Sequence, residues 1–140
     1  MSDLESKLKA YGLEVVCHTP RRIIVWNSAA REEFYQAEEV PQTRILAFCK
    51  LWCDEQRLTP QQYNGNEGRA QRGSINRLMG AFKTHKVRLY GYQRTLFGKA
   101  TFIAVACDPQ KKSDKGKPRI LAAAASRIID LEERLGERNE

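Results

Sequence analysis

A chain of 140 residues, 41% hydrophobic and 29% charged, has the size and composition of one globular domain; it is too apolar for a disordered chain and too evenly mixed for a fibrous one. Its opening residues Met1-Ser2-Asp3-Leu4-Glu5 are polar and acidic, and nowhere do about 18 uninterrupted apolar residues occur, so no secretion signal or membrane helix is expected and the cytoplasm is the expected compartment. The net charge of +7 is unevenly placed, with nine Lys+Arg against ten Asp+Glu in residues 1–70 and fifteen against seven in residues 71–140, a local surplus that suits a polyanionic partner.

Ser2 with Glu5 forms a capping box, and Leu4, Leu8 and Tyr11 share a face that Gly12 can close, predicting a helix over residues 3–11. Leu13–Cys17 and Arg22–Trp26 are β-branched runs joined by His18-Thr19-Pro20-Arg21, which reads as a hairpin or two nearby strands. Asn27 or Ser28 then caps a helix through Phe34 and Tyr35. Pro41 resets the chain, and Ile45, Phe48, Cys49, Trp52 and Cys53 follow at i, i+3, i+4, i+7 and i+8, predicting a helix over 42–56. The four cysteines, Cys17, Cys49, Cys53 and Cys107, form no C-x-x-C pair and sit in apolar runs, as reduced core thiols do.

Residues 57–76 turn to Gln, Asn, Gly and Arg, the composition of a mobile loop. Lys86 to Arg94 alternates, with Val87, Leu89 and Gly91 on one face and Arg88, Tyr90, Tyr92 and Arg94 on the other. Leu96-Phe97-Gly98-Lys99 turns the chain into Ala100–Cys107, apolar enough for a sheet centre. A basic loop follows over 110–117. Pro118 opens a last helix with the stripe Ile120, Leu121, Ala124, Ile128, Leu131 and Leu135, and Glu132–Glu140 are expected to fray into solvent.

The face Arg88-Tyr90-Tyr92-Arg94 interleaves two guanidinium groups with two aromatic rings. Such a face offers phosphates charge and bases a stacking surface; it equally describes half-buried strand aromatics with solvated arginines beside them. Lys111, Lys112, Lys115 and Lys117 follow the apolar strand, and Lys83, His85 and Lys86 precede the alternating one. These groups can join into a single basic patch or remain solvated charges.

Cleavage of RNA by transesterification needs a base on the 2′-hydroxyl, cations on the developing phosphorane and an acid for the leaving oxygen. Lysine, arginine, tyrosine and histidine can fill these roles without a metal if crowded like charges lower a lysine pKa. Metal-dependent nucleases need clustered carboxylates, and between Gln71 and Pro118 the sequence has only Asp108 and Asp114, so neither metal nor cofactor is expected. His18, beside Thr19-Pro20, reads as structural. Neither a P-loop, a GxGxxG nor a Ser/His/Asp elbow occurs.

Several stretches resemble the RelE/ParE superfamily of bacterial toxins, and its HigB-like or phage-derived branch most. Arg22 to Phe34 is similar to the family's opening strand and Ala-rich helix start, the Pro41–Gln56 segment to the second helix of its helical hairpin, and Leu78-Met79-Gly80 to its L-x-G. Val87-Arg88-Leu89-Tyr90 resembles an R-x-x-Y-like strand. Phe102 to Lys115 resembles the apolar strand running into K-K-x-x-K, followed by an Ala-rich helix ending near an arginine, here Arg127. The family has two arginine-bearing strands before the last one, of which only Lys86–Arg94 is legible here.

The resemblance spans about residues 22–130 and implies an α+β fold, a small antiparallel sheet with an N-terminal helical hairpin on one face and a C-terminal helix. One domain would cover 1–140, with an N-terminal extension 1–21 and the mobile loop 57–76. It also implies a toxin that cleaves messenger RNA on the ribosome without metal and is neutralised by a small antitoxin protein. Arg88 and Tyr90 would then meet the scissile phosphate, while Lys111, Lys112 and Lys115 bind RNA or supply protons. The candidate catalytic set is therefore Arg88, Tyr90, Lys112 and His85, and the candidate nucleic-acid-binding set Lys83, Lys86, Tyr92, Arg94, Lys111, Lys115 and Lys117. Two other functions fit the same features: a non-enzymatic nucleic-acid-binding or phage regulatory protein, and a gyrase-poisoning ParE-like toxin.

Overall fold

A computed structural model describes residues 2–110 and 117–136. Along the chain run helix α1 (Ser2–Ala10), strands β1 (Leu13–His18) and β2 (Arg22–Asn27), helices α2 (Ser28–Phe34) and α3 (Glu39–Cys53), strands β3 (Tyr63–Arg72), β4 (Ile75–Lys83), β5 (Arg88–Leu96) and β6 (Lys99–Asp108), and helix α4 (Pro118–Leu135). The strands make one six-stranded sheet in the order β1-β2-β6-β5-β4-β3. β2 and β6 are parallel, with Ile24 opposite Phe102, and all other neighbours are antiparallel. The α+β class stands, but the sheet is larger than expected and mixed.

Alternating residues of the central strands divide between two cores. Ile24, Trp26, Phe102 and Ala104 point toward α2 and α3, where they meet Phe34, Ile45, Phe48, Cys49 and Trp52. Ile23, Val25, Ile103 and Val105 point the other way, toward Leu8 of α1 and Ala124, Ile128 and Leu131 of α4. A strand covered on both faces must be apolar throughout, which is why Phe102–Cys107 reads as an unbroken hydrophobic run.

Local chemistry sets the helix boundaries. Asn27 caps α2, its Oδ1 accepting from the Ala30 N–H at 2.7 Å. α3 begins at Glu39, three residues before the expected start, because Pro41 falls in its first turn, where a missing N–H costs nothing. At the other end of the chain, Glu132 does not fray: α4 runs to Leu135 with Glu132 8% exposed.

Two strands lie where composition shows little sign of them. The expected mobile loop 57–76 contains β3, an edge strand whose only buried residue is Ala70, so its Gln, Asn and Arg side chains belong in solvent. β4 follows after a turn at Gly73 and carries Arg77 and Lys83.

β6 outruns its parallel neighbour. Pairing with β2 stops at Ala104, and side chains take over the backbone groups beyond it. Glu33 Oε1 accepts from the Cys107 N–H at 3.0 Å, and Arg127 Nη1 donates to the Val105 carbonyl at 2.9 Å and to Glu33 at 3.0 Å. One ion pair between α2 and α4 thus closes the strand edge that leads to the site.

Candidate functional site

The end of the sheet where β4 finishes, β5 starts and β6 finishes gathers charged side chains. Register places Lys83 opposite Arg88 and Arg88 opposite Asp108. Arg88 Nη1 donates to Glu67 Oε1 of β3 at 2.8 Å, both side chains being buried. Asn64 in turn donates to Glu67. Asp108 Oδ1 accepts from the Gln110 N–H at 3.1 Å and faces the Lys117 ammonium at 3.4 Å, while Asp108 Oδ2 is buried with no hydrogen-bond partner among the described residues.

Tyr90 lies beside this cluster, fully buried. Burial pushes its phenol up to about 12; the Arg88 charge opposes that shift and the Glu67 and Asp108 charges reinforce it. A phenol so placed stays protonated near neutrality and can donate a hydrogen bond. The cluster therefore combines a guanidinium, a phenol, an ammonium and two carboxylates around the point where the chain enters residues 111–116.

Lys83, His85 and Lys86 stand at the adjacent turn between β4 and β5. Thr84 fixes that turn, its Oγ1 accepting from the Lys86 and Val87 N–H groups at 3.2 and 3.0 Å. His85 and Lys86 are exposed. A cleft of about 330 Å³ lies between this turn and α3, lined by Arg44, Phe48, Gln61, Gln62, Lys83, Thr84 and His85. Lys83, His85, Lys86, Arg88, Tyr90 and Lys117 are thus brought to one sheet end. Lys111, Lys112 and Lys115 lie outside the described residues.

Tyr92 and Arg94 are somewhere else. Glu132 Oε2 accepts from the Tyr92 hydroxyl and from Arg94 Nη1, each at 2.6 Å, and Glu132 Oε1 accepts from Arg77 Nε at 2.7 Å. This carboxylate fastens α4 to the sheet. Burial alone would raise its pKa, but the bonds from Tyr92, Arg94 and Arg77 outweigh burial and hold it below the usual carboxylate range. The face Arg88-Tyr90-Tyr92-Arg94 is consequently neither a solvent-facing stacking platform nor a row of solvated arginines. All four residues are buried: Glu132 of α4 covers Tyr92 and Arg94, and Glu67 of β3 meets Arg88.

Sequence reasoning missed Glu67 and Glu132. For Glu67 the polar context gave no signal. Glu132 was legible in principle: it follows Ile128 by four residues and precedes Leu135 by three, so the stripe carries a carboxylate inward and a buried cation must meet it. Among the described residues no three His, Cys, Asp or Glu side chains are grouped to hold a metal ion, and no helix is long and apolar enough to cross a membrane. Compared with protein-family models, curated proteins and solved structures, the chain finds no match.

Proposed function

We propose that this chain is the toxin of a toxin–antitoxin pair of RelE/ParE type, an endoribonuclease that cleaves messenger RNA on the ribosome in the cytoplasm without a metal. The observation that carries the proposal is the convergence of Arg88, Tyr90, His85, Lys83, Lys86 and Lys117 on one sheet end, at the mouth of the segment bearing Lys111, Lys112 and Lys115. Two features of the fold lend support. An opening strand is followed by a pair of helices, and β4 with Arg77 supplies a second arginine-bearing strand ahead of the last one.

In this mechanism Arg88 exchanges the Glu67 carboxylate for the scissile phosphate and neutralises the phosphorane. Tyr90 donates its hydroxyl to the same oxygens. Lys112 and His85 move the protons, one taking that of the 2′-hydroxyl and the other protonating the leaving 5′-oxygen. Lys83, Lys86, Lys111, Lys115 and Lys117 hold the flanking phosphates. A small antitoxin protein inhibits by covering this basic end.

Purified protein mixed with programmed ribosomes tests the proposal. Messenger RNA is expected to be cut at the same rate with or without chelator, and Lys112→Ala to lose the cut. Intact transcripts under both conditions would sink it.

A second reading is favoured by one observation: Glu67 already occupies Arg88. A non-enzymatic nucleic-acid-binding protein needs only the exposed cations, and it would retain RNA or DNA in a salt-dependent way without cutting either.

A further inference from the structure

Cys17, in β1, and Cys53, the last residue of α3, are 36 positions apart in sequence, yet their sulfur atoms lie 3.3 Å from each other. A set of bonds that needs no sulfur chemistry holds them there. Thr19 Oγ1 donates to the Cys53 carbonyl at 3.0 Å, and Arg22 Nη1 donates to the Trp52 carbonyl at 2.9 Å while its guanidinium lies 4.7 Å from the centre of the Trp52 ring. The final carbonyls of α3 thereby clamp the β1–β2 turn, the Trp52 oxygen accepting from the Glu55 N–H as well. Between Val15 and Cys17 the register of β1 against β2 shifts by a bulge, and Cys17 packs against the core that holds Trp52 and Cys53.

The two sulfurs are not chemically ordinary. The hydrogen bond from Cys17 pulls the Cys53 thiol below its usual value, burial opposes this, and Arg22 adds to the lowering. The same bond, with burial, pushes the Cys17 thiol up, so the shared proton rests on Cys17. Cys17 is half-buried and reachable, whereas Cys53 is 2% exposed. Cys49 and Cys107 are buried thiols pushed up by burial, and neither is part of the close pair.

We infer that Cys17 and Cys53 form a dithiol modification site, which a disulfide oxidant such as oxidised glutathione closes into an intramolecular disulfide stapling β1 to the end of α3. Cys17, passing its proton to the Cys53 sulfur that it is hydrogen-bonded to, attacks one sulfur of oxidised glutathione, forming a mixed disulfide and releasing one glutathione thiolate. Cys53 gives up its proton to that thiolate, attacks the Cys17 sulfur and expels the second glutathione. Two protein S–H bonds and the glutathione S–S bond are broken, one protein S–S bond forms, and the two protons end on the released glutathione thiols. The staple ties α1 and β1, an extension beyond the segment that resembles a toxin, to the helical pair on the far side of the sheet. It rests on geometry that is independent of the proposed nuclease activity.

The test uses the native chain equilibrated in oxidised glutathione, denatured in acid, alkylated and mapped by mass. Alkylatable thiols are expected to fall from four to two, with one peptide pair joined through Cys17 and Cys53 and with Cys49 and Cys107 still reduced. The oxidised form is expected to melt roughly 5–10 °C higher. In Cys53→Ser, Cys17 is expected to keep a stable glutathione adduct that the wild type resolves. Four alkylated thiols after oxidation, or a lasting glutathione adduct on wild-type Cys17, would overturn the inference. Because the mapping is done on the wild type, its outcome does not depend on how the variant folds.

Discussion

Arg88 Nη1 stands 2.8 Å from Glu67 Oε1, with the two side chains 3% and 5% exposed. Removing Arg88 leaves the Glu67 carboxylate buried without this partner, at a cost of about 3–5 kcal/mol. Arg88→Ala is therefore expected to lower the unfolding free energy by about that amount, and Glu67→Leu combined with Arg88→Met to recover most of it. Urea denaturation of the single and double variants checks this. Loss of activity in Arg88→Ala alone would thus mix catalysis with folding; the double variant, stable but inactive, separates them.

Glu132 gives the fold an acid-sensitive joint. Its folded pKa lies below the unfolded value of 4.5, so the stability it contributes is fully present above that pH and is lost as pH falls through the folded value. Glu132→Gln is expected to cost about 3–5 kcal/mol at neutral pH and to flatten the acid limb of stability against pH. Tyr92→Phe, which removes one bond to the same carboxylate, is expected to cost about 1.5–3 kcal/mol. Denaturant unfolding between neutral and acid pH distinguishes these variants from the wild type.

β5 and β6 approach each other closely at Gly91. A Cβ there would sit 2.1 Å from the Ile103 carbonyl oxygen and 2.8 Å from the Ala104 Cα, both backbone atoms that cannot turn aside. Gly91→Ala is expected to destabilise by about 1–3 kcal/mol or more, measured as a lower denaturation midpoint with unchanged slope.

Cations of the basic segment 110–117 should govern affinity instead of stability. Binding to single-stranded RNA is expected to weaken with salt, and neutralising Lys111, Lys112 and Lys115 together to reduce the slope of log K against log salt by up to about 2. Melting should shift little. Fluorescence titrations across a salt series check the slope, and an unchanged slope would remove these lysines from the interface.

Periodicity made much of the fold legible. The stripe Ile45, Phe48, Cys49, Trp52 and Cys53 marked α3, and the apolar run of β6 marked the sheet centre. The parallel β2–β6 pairing was not legible, because the partners are separated by two helices and three strands and pairing leaves no local trace. β3 escaped because an edge strand can be polar on both faces. At the site, alternation correctly divided Arg88, Tyr90, Tyr92 and Arg94 from Val87 and Leu89. It could not say whether the charged face met solvent or α4, since buried arginines become tolerable only through Glu67 and Glu132, carboxylates distant in sequence.

Transcript ends mapped after inducing the chain in bacteria bear on the nuclease proposal more directly than any other measurement. Growth arrest is expected with new ends inside translated reading frames, both abolished in a Lys112→Ala variant that melts like the wild type. Arrest without new transcript ends, or no arrest at all, would contradict the proposal.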